Sequence, residues 1–263
     1  MNKVITFCNS EYFEYGTMFL KTRDRINANF ICYSPDLTSK QIKVLEKHDI
    51  EHKTINQEYF DTRMQFAKFW CVSKEINHED NSLITFCDWD TFFINDWANE
   101  IHINTSLGIT YRSNLIKKNL YRAFSNGGVI FFRNCGESRI MCKTAMQTML
   151  DGENRDLPEY DTIWKTLESN ERPKHKRHER TTLRWWVDQI FLSSLIMRCR
   201  EGMVKDVSMS EMELVFNGCK IHFYDCKQFN HVESKPTMDI NDKTYIRHLK
   251  SNSGASGSLK DGK

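Results

Sequence analysis

Two aspartates separated by one residue follow an apolar segment near the middle of the chain. The segment Leu83–Cys87 has the pattern of a buried strand, and Asp88 and Asp90 come directly after it. In an extended chain, residues two apart point to the same side and lie ~6.6 Å apart, so both carboxylates can reach one small space. A divalent cation shared with a phosphate-bearing substrate would neutralise them there. The spacing therefore predicts a metal site, and the alternative is a turn or helix-cap pair that binds no metal.

The sequence pattern around this pair predicts alternating strands and helices, which must position the two carboxylates. Such alternation predicts an α/β fold with a mostly parallel central sheet, flanking helices and right-handed crossovers. Ligands of open α/β sheets bind beyond the carboxyl ends of the strands, which is where Asp88 and Asp90 lie. The predicted strands are Lys3–Cys8, Asn29–Tyr33, Ile50–Ile55 and Leu83–Cys87, and the predicted helices are Tyr12–Ile26, Thr38–Asp49 and Met64–Ile76.

The second half of the chain has less regular patterns. Ser125–Gly128 is a turn or bulge signal that leads into the apolar segment Val129–Phe132, a further buried strand. The other predicted elements are short helix Asn95–Ile101, strand Leu107–Tyr111, helix Glu137–Leu150 and strands Lys220–Tyr224 and Tyr245–Leu249.

A third acid, Asp188, lies in the first turns of a helix predicted from about Leu183 to Arg200. This helix is apolar nearly all round, which is typical of a buried helix. Asp188 shares a helical face with Leu192 and Leu195, so it points toward the core. A carboxylate there needs a partner or a function. The alternative is a carboxylate that favours the helix dipole and has no chemical role.

Composition limits the possible functions. The chain has 263 residues, of which 40% are hydrophobic and 27% charged, enough for one sizeable core. No linker interrupts it, so we expect one domain over residues 1–250 and a flexible Gly/Ser/Lys-rich tail over 251–263. The net charge of +2 predicts no strong attraction to nucleic acid or to an anionic membrane.

Cysteine usage and hydropathy predict the compartment. Nine cysteines are scattered without a CxxC pair, which argues against a zinc site and for reduced thiols. The first residues enter a strand pattern without an apolar signal region, and no segment approaches 18 apolar residues. We therefore expect a cytoplasmic protein without a membrane span.

Several motifs, taken together, resemble those of the GT-A type glycosyltransferases, the metal-dependent nucleotide-sugar fold. The match runs in the expected order over roughly residues 3–250. Two departures are Gly127, where a small hydroxyl residue is usual, and the absence of the usual glycine and lysine after His248, where only Lys250 is near. In the first half of the chain, the motifs are Val4–Ser10 for the first strand and loop, Lys68 on the helix before the DxD strand, and Asp88-Trp89-Asp90 for the DxD motif itself. In the second half, they are Asn126–Phe132 for the N-[ST]-G-V strand, Asp188-Gln189 for the D-Q segment, and Phe229-Asn230 and Tyr245–Lys250 for the late F-N and histidine elements.

The resemblance implies a GT-A fold and a ligand set. It implies that Mn²⁺ (or Mg²⁺) is held by Asp88, Asp90 and His248, with Asp88 bridging to ribose or water. It also implies a nucleotide-sugar donor, and a glycan or other hydroxyl compound as the acceptor. The implied donor contacts are Phe7, Cys8, Asn9, Lys68, Asp88, Trp89, Asn126, Gly127, Gly128, Gln189 and Lys250.

The implied activity is transfer of a sugar from a UDP- or GDP-sugar to a hydroxyl. Negative charge builds on the leaving phosphate, and the metal would stabilise it. Asp188 would be either the general base of an inverting reaction or a hydrogen-bond acceptor for the donor sugar in a retaining one. Simpler interpretations treat Lys68 as a solvated lysine, Asn126 as a turn former and His248 as a strand-end histidine.

Two other functions fit parts of the sequence. A sugar-phosphate nucleotidyltransferase on a related fold usually has a Gly-rich basic loop after the first strand, which Asn9–Tyr15 lacks. A nucleic-acid-binding module would use the basic cluster Arg172–Arg180, but the near-neutral net charge argues against it. The other interpretations of this cluster are a solvated loop, a lid over the diphosphate or a binding site for a phosphate-rich acceptor.

Overall fold

An eight-stranded sheet forms the centre of the molecule. The computed structural model describes residues 1–56, 67–77, 80–112, 125–151, 158–160, 162–163, 187–201, 209–233 and 243–249. The strands are β1 Lys3–Phe7, β2 Asn29–Ser34, β3 Ile50–Thr54, β4 Leu83–Cys87, β5 Thr91–Phe93, β6 Leu107–Tyr111, β7 Ser125–Arg133, β8 Glu213–Phe216, β9 Cys219–Asp225, β10 His231–Glu233 and β11 Ile246–Leu249.

The central sheet is mostly parallel, as predicted. Its strand order is β3-β2-β1-β4-β7-β6-β9-β8. Only β7 and β8 run against their neighbours. The remaining six strands share one direction, so their carboxyl ends meet at one edge of the sheet, directly before Asp88.

A small second sheet brings a distant segment to this edge. Its order is β10-β11-β5, and β11 pairs antiparallel with β5, which places His248 opposite Thr91. The backbone N–H of Leu249 donates to the carbonyl of Asp90 at 2.9 Å. The end of β4 and the end of β11 are therefore fixed to each other.

The described helices are α1 Thr17–Thr22, α2 Ser39–Lys47, α3 67–75, α4 Gly136–Asp151, α5 Val187–Glu201 and α6 Cys226–Phe229. A capping box begins α2, in which Thr38 and Gln41 satisfy each other's backbone N–H groups. Residues 158–160 and 162–163 are also helical, and 3₁₀ turns span Phe13–Gly16, Arg23–Arg25, Ala98–Glu100 and Met209–Glu211. Among the described residues, no helix is both long enough and apolar enough to cross a membrane.

Strand β7 separates two apolar layers. Ile130 and Phe132 face one cluster, which includes the buried residues of α5, and Val129 and Phe131 face the other. A strand buried on both faces reads as a continuous apolar segment, which is why Val129–Phe132 was recognisable from sequence.

Several element predictions were wrong in detail. The helix predicted over Tyr12–Ile26 is divided into a 3₁₀ turn, α1 and a second 3₁₀ turn. Gly16, at the first junction, lies against the indole of Trp89, and a Cβ on Gly16 would be 1.9 Å from Trp89 Cε2. The helix predicted over Asn95–Ile101 is only a 3₁₀ turn.

Three strands of three or four residues, β5, β8 and β10, were not predicted, because such lengths show no measurable alternation. Some predictions lie outside the described residues. They concern the start of the helix predicted from Met64, the basic cluster Arg172–Arg180, Lys250 and the tail 251–263.

Candidate functional site

Asp88, Asp90 and His248 lie together at the carboxyl edge of the central sheet. Each offers one ligand atom, and these atoms lie within 4.8 Å of one another. His248 Nε2 is 3.0 Å from Asp90 Oδ1. The structure thus brings together the three residues that the resemblance assigned to a metal.

The chemistry of this group fits a divalent cation. Two carboxylates and one imidazole suit Mg²⁺ and, with the nitrogen ligand, Mn²⁺. Burial raises the pKa of Asp88 above its ordinary value. The two nearby cations oppose this shift, and the neighbouring carboxylates add to it. Burial therefore makes the ionised form of Asp88 less favourable than it is in water, and a bound cation would compensate for this.

Asp90 is held by two donors. Burial alone would raise its pKa, but the contact with His248, helped by the Tyr12 hydroxyl, lowers it below the ordinary value. The Tyr12 hydroxyl donates to Asp90 Oδ2 at 2.8 Å. Burial would likewise lower the pKa of His248, but Asp90 raises it overall. Their contact thus favours the ionised form of Asp90 and the protonated form of His248. No local pattern indicates the role of Tyr12, because it is 78 residues away from Asp90 in the chain.

Lys68 links the metal group to Asp188. Its ammonium lies 3.3 Å from Asp88 Oδ1 and 3.0 Å from Asp188 Oδ2, and it donates to the Gly127 carbonyl at 3.0 Å. Burial alone would lower the pKa of Lys68, but the two carboxylates raise it, so the group is charged. Lys68 is only 5% exposed, so its interpretation as a solvated lysine was wrong.

Asp188 faces the interior, as its helical face predicted. It is 1% exposed, and its Oδ1 has no hydrogen-bond partner among the described residues. The same holds for Gln189 Oε1 and Asn126 Nδ2. Buried polar atoms are normally paired, so atoms left unpaired in this way point to a ligand or to bound water. Helix α5 and strand β7 thus both carry unpaired polar atoms, and Asp188 lies beside Lys68.

Two glycines allow β7 to approach these acids. A Cβ on Gly127 would be 2.3 Å from Asp188 Oδ2, and a Cβ on Gly128 would be 2.6 Å from His248 Cε1. A side chain at Gly127 would displace the Asp188 carboxylate, and one at Gly128 would displace the His248 ring. Asn126 lies within strand β7 and is buried, so its interpretation as a turn former was wrong.

The other predicted donor residues occupy the first strand, its loop and the turn after β4. Asn9 Oδ1 accepts from the backbone N–H of Tyr12 at 2.8 Å. Phe7 packs on Phe86, with ring centroids 5.6 Å apart. Cys8 and Trp89 are buried in the core, and Trp89 Nε1 donates to the Phe13 carbonyl at 2.8 Å. A donor contact by Trp89 is thus left to its backbone.

Comparisons with known proteins show the fold. The sequence matches no family model and no curated protein. The galactosyltransferase LgtC, in complex with donor and acceptor sugar analogues, is similar in structure, with a TM-score of 0.53 and 12% identity over 94% of this chain and 86% of that chain. An active-site mutant of LgtC gives a TM-score of 0.51 and 11% identity over the same shares. At these identities the likeness shows the fold, and the prediction of a GT-A fold is confirmed.

Proposed function

We propose that the protein is a glycosyltransferase that moves a sugar from a UDP- or GDP-sugar to a hydroxyl of a glycan or another acceptor and requires a divalent metal. The observation that carries this proposal is the convergence of Asp88, Asp90 and His248 at the carboxyl edge of the sheet, where α/β folds bind ligands. The fold shared with LgtC, whose structure holds donor and acceptor sugar analogues, supports it.

In this proposal Asp88, Asp90 and His248 hold Mn²⁺ or Mg²⁺. The bound cation supplies positive charge where negative charge develops on the leaving diphosphate. Tyr12 holds the second oxygen of Asp90, so this carboxylate has both oxygens oriented before any ligand arrives.

The residues beside the metal group would bind the sugar. Asp188 Oδ2 is occupied by Lys68, which leaves Oδ1 for a ligand. Asn126 Nδ2 can donate to a sugar hydroxyl and Gln189 Oε1 can accept from one, so the three residues together offer one donor and two acceptors. Ring hydroxyls of a hexose have the complementary chemistry.

The donor's nucleoside would lie on the first loop. We assign Phe7, Cys8 and Asn9 to this region, with Trp89 contributing its backbone and Lys250 the diphosphate end. Gly127 and Gly128 contribute by their lack of a side chain, because only glycine lets the strand approach Asp188 and His248. We also propose that residues 1–250 form one catalytic domain.

Asp188 Oδ1 has one of two tasks. It removes the proton of the acceptor hydroxyl, which gives inversion at the anomeric carbon, or it accepts a hydrogen bond from the donor sugar in a retaining reaction. The anomeric configuration of the product, read by ¹H NMR, separates the two.

A donor screen tests the proposal. The full chain is incubated with a panel of UDP- and GDP-sugars, with and without Mn²⁺, while hydrolysis and the melting temperature are followed. We expect at least one donor to be hydrolysed slowly and to raise the melting temperature in Mn²⁺ only, because binding to the folded state stabilises it. If no donor is hydrolysed or bound, the proposal is wrong. Pyrophosphate release from a nucleoside triphosphate and a sugar phosphate would instead indicate a nucleotidyltransferase.

A further inference from the structure

Asn230 lies directly behind the imidazole of His248. It follows α6 and is fully buried. Its Oδ1 is 3.2 Å from His248 Nδ1. On the other side, its Nδ2 donates to the Asn126 carbonyl at 3.2 Å and to Thr110 Oγ1 at 3.4 Å.

The neighbours of Asn230 fix the direction of these hydrogen bonds. A backbone carbonyl can only accept, so the amide nitrogen of Asn230 must face the Asn126 carbonyl. Thr110 uses its single hydroxyl proton on a carbonyl, with Asn126 O at 2.8 Å, and therefore accepts from Asn230. The oxygen of the Asn230 side chain is then the atom that faces His248, and it can only accept.

This arrangement determines which nitrogen of His248 keeps its proton when a cation binds. Because Asn230 Oδ1 accepts, His248 Nδ1 must donate, so Nε2 is the nitrogen whose lone pair can bind a cation in place of its contact with Asp90. Nε2 is the nitrogen that faces Asp90, at 3.0 Å. We propose that Asn230 is a positioning residue of the metal site, which fixes the tautomer and the orientation of His248 so that Nε2 can bind the cation. This inference rests on the proposed function.

The surroundings of Asn230 hold it rigidly. Its backbone N–H donates to the Cys226 carbonyl at 3.0 Å. The ring of Phe229 stacks on Tyr245 at 5.0 Å, and the Tyr245 N–H donates to the Gln228 carbonyl at 2.7 Å. Helix α6 and the start of β11 are thus joined, and the amide sits between β7 and β11.

Mn²⁺ affinity of the full chain without donor tests this inference, with free Mn²⁺ measured by electron paramagnetic resonance. We expect Asn230→Ala to weaken Mn²⁺ binding about 10–100-fold, as loss of a group that orients a metal ligand does. Asn230→Asp keeps an acceptor for the Nδ1 proton, so it should bind Mn²⁺ within a few-fold of the wild type.

The matched control is Asn134→Ala. Asn134 is another buried asparagine, and it follows the end of β7 that lies away from Asn126. Its side chain donates to Asp80 at 2.8 Å. We expect this variant to lose thermal stability but to keep the wild-type Mn²⁺ affinity. A merely structural role for Asn230 predicts the same behaviour for Asn230→Ala, and that result would overturn the inference. Equal weakening in the Ala and Asp variants would also overturn it.

The tautomer can be read without any Asn230 variant. In ¹⁵N-histidine-labelled wild-type protein with Mg²⁺, the His248 signal, assigned by its loss in His248→Gln, should show a proton on Nδ1 and none on Nε2. A proton on Nε2 with a bare Nδ1 contradicts the inference even if Asn230→Ala does not fold. If the wild type binds no divalent cation at all, the proposed function fails first. If it binds one and Asn230→Ala binds equally well, only the role of Asn230 fails.

Discussion

Two groups of charged side chains lie near the two ends of the described part of helix α3, residues 67–75. Lys68 joins the site group, which we define as Lys68, Asp88, Asp90, Asp188 and His248. Glu75, its last residue, forms the Glu75 group with Lys3, Tyr33 and Lys53. The two α3 residues are seven positions apart, about 10 Å along the axis. The groups differ in how completely their charges are satisfied.

The Glu75 group is complete without a ligand. Glu75 is 6% exposed and accepts from Tyr33 at 2.6 Å, from Lys53 at 2.6 Å and from Lys3 at 3.2 Å. Burial alone would raise the pKa of Glu75, but its donors lower it below the ordinary value of 4.5. One carboxylate thus has three donors, which is the arrangement of a structural ion cluster.

The site group has three carboxylates, one ammonium and one imidazole. Burial and its neighbours leave the pKa of Asp88 raised, and Asp188 Oδ1 has no partner among the described residues. A group that is short of positive charge and of hydrogen-bond donors is prepared for a cation and a hydroxylated ligand. The Glu75 group thus has the arrangement of a structural cluster, and the site group has the arrangement expected of the proposed binding site.

Asp188→Asn should have the largest effect, and it should fall on transfer rather than on folding. We expect the rate to fall roughly 10²–10³-fold, about 2.7–4 kcal/mol, because the variant loses a preorganised charge. Lys68 keeps Asp88 and the Gly127 carbonyl as partners, so the loss of unfolding free energy should be smaller than that of Glu75→Gln. Steady-state kinetics and urea unfolding measure both, with exposed Asp96→Asn as the control. A variant that is strongly destabilised but transfers sugar at the wild-type rate would reverse the assignment.

Glu75→Gln should show the opposite behaviour. We expect a loss of about 3 kcal/mol in unfolding free energy, the lower end for a broken buried ion pair, because Lys3 and Lys53 remain 20% and 32% exposed. Mn²⁺ affinity and transfer rate should stay unchanged. Urea unfolding measures the stability, and Glu51→Gln is the control, since Glu51 is an exposed partner of Lys53. A loss of Mn²⁺ binding in Glu75→Gln would mean that the two groups are not separate.

Tyr12→Phe should have a smaller effect on the site group. It removes one hydrogen bond to Asp90, worth about 1 kcal/mol, so Mn²⁺ should bind about 5-fold more weakly. Tyr15→Phe is the matched control, because Tyr15 stacks on Tyr12 at 4.6 Å. Calorimetric titration of Mn²⁺ into the three proteins measures this. Equal affinity in all three would show that Tyr12 does not orient Asp90.

The change in unfolding free energy at acidic pH should be the smallest of these effects. The pKa of Glu75 is lowered in the folded protein, so its contribution is present above pH 4.5 and is lost as the pH falls through the folded value. The difference in unfolding free energy between the wild type and Glu75→Gln should therefore shrink as the pH is lowered from 7 to 3. Urea unfolding across this range measures it. A difference that stays constant with pH would show that Glu75 is not stabilised as a carboxylate.

The sequence predicted those parts of the site that depend on local patterns. The apolar segment before Asp88 and Asp90 is a buried strand, and the strand-helix alternation is a mostly parallel sheet. The interior position of Asp188 followed from its helical face. His248 came from the order of motifs rather than from its own surroundings.

The parts that sequence reasoning missed depend on contacts between distant segments. Tyr12 reaches Asp90 across 78 residues, and Asn126 accepts from Asn230 across 104. Nothing in the neighbourhood of Lys68 distinguishes it from a solvated lysine, because its burial is decided by β7 and α5 closing over it. Such contacts arise only when the sheet is assembled, so no local periodicity encodes them.

The Mn²⁺ affinity of Asp90→Asn tests the central claim most directly. The variant, the wild type and Glu75→Gln are titrated with Mn²⁺ under the same conditions, with folding checked by circular dichroism. The proposed site predicts that the wild type and Glu75→Gln bind Mn²⁺ alike, and that Asp90→Asn binds it at least about 10-fold more weakly while remaining folded. An unchanged Mn²⁺ affinity in folded Asp90→Asn would contradict the account.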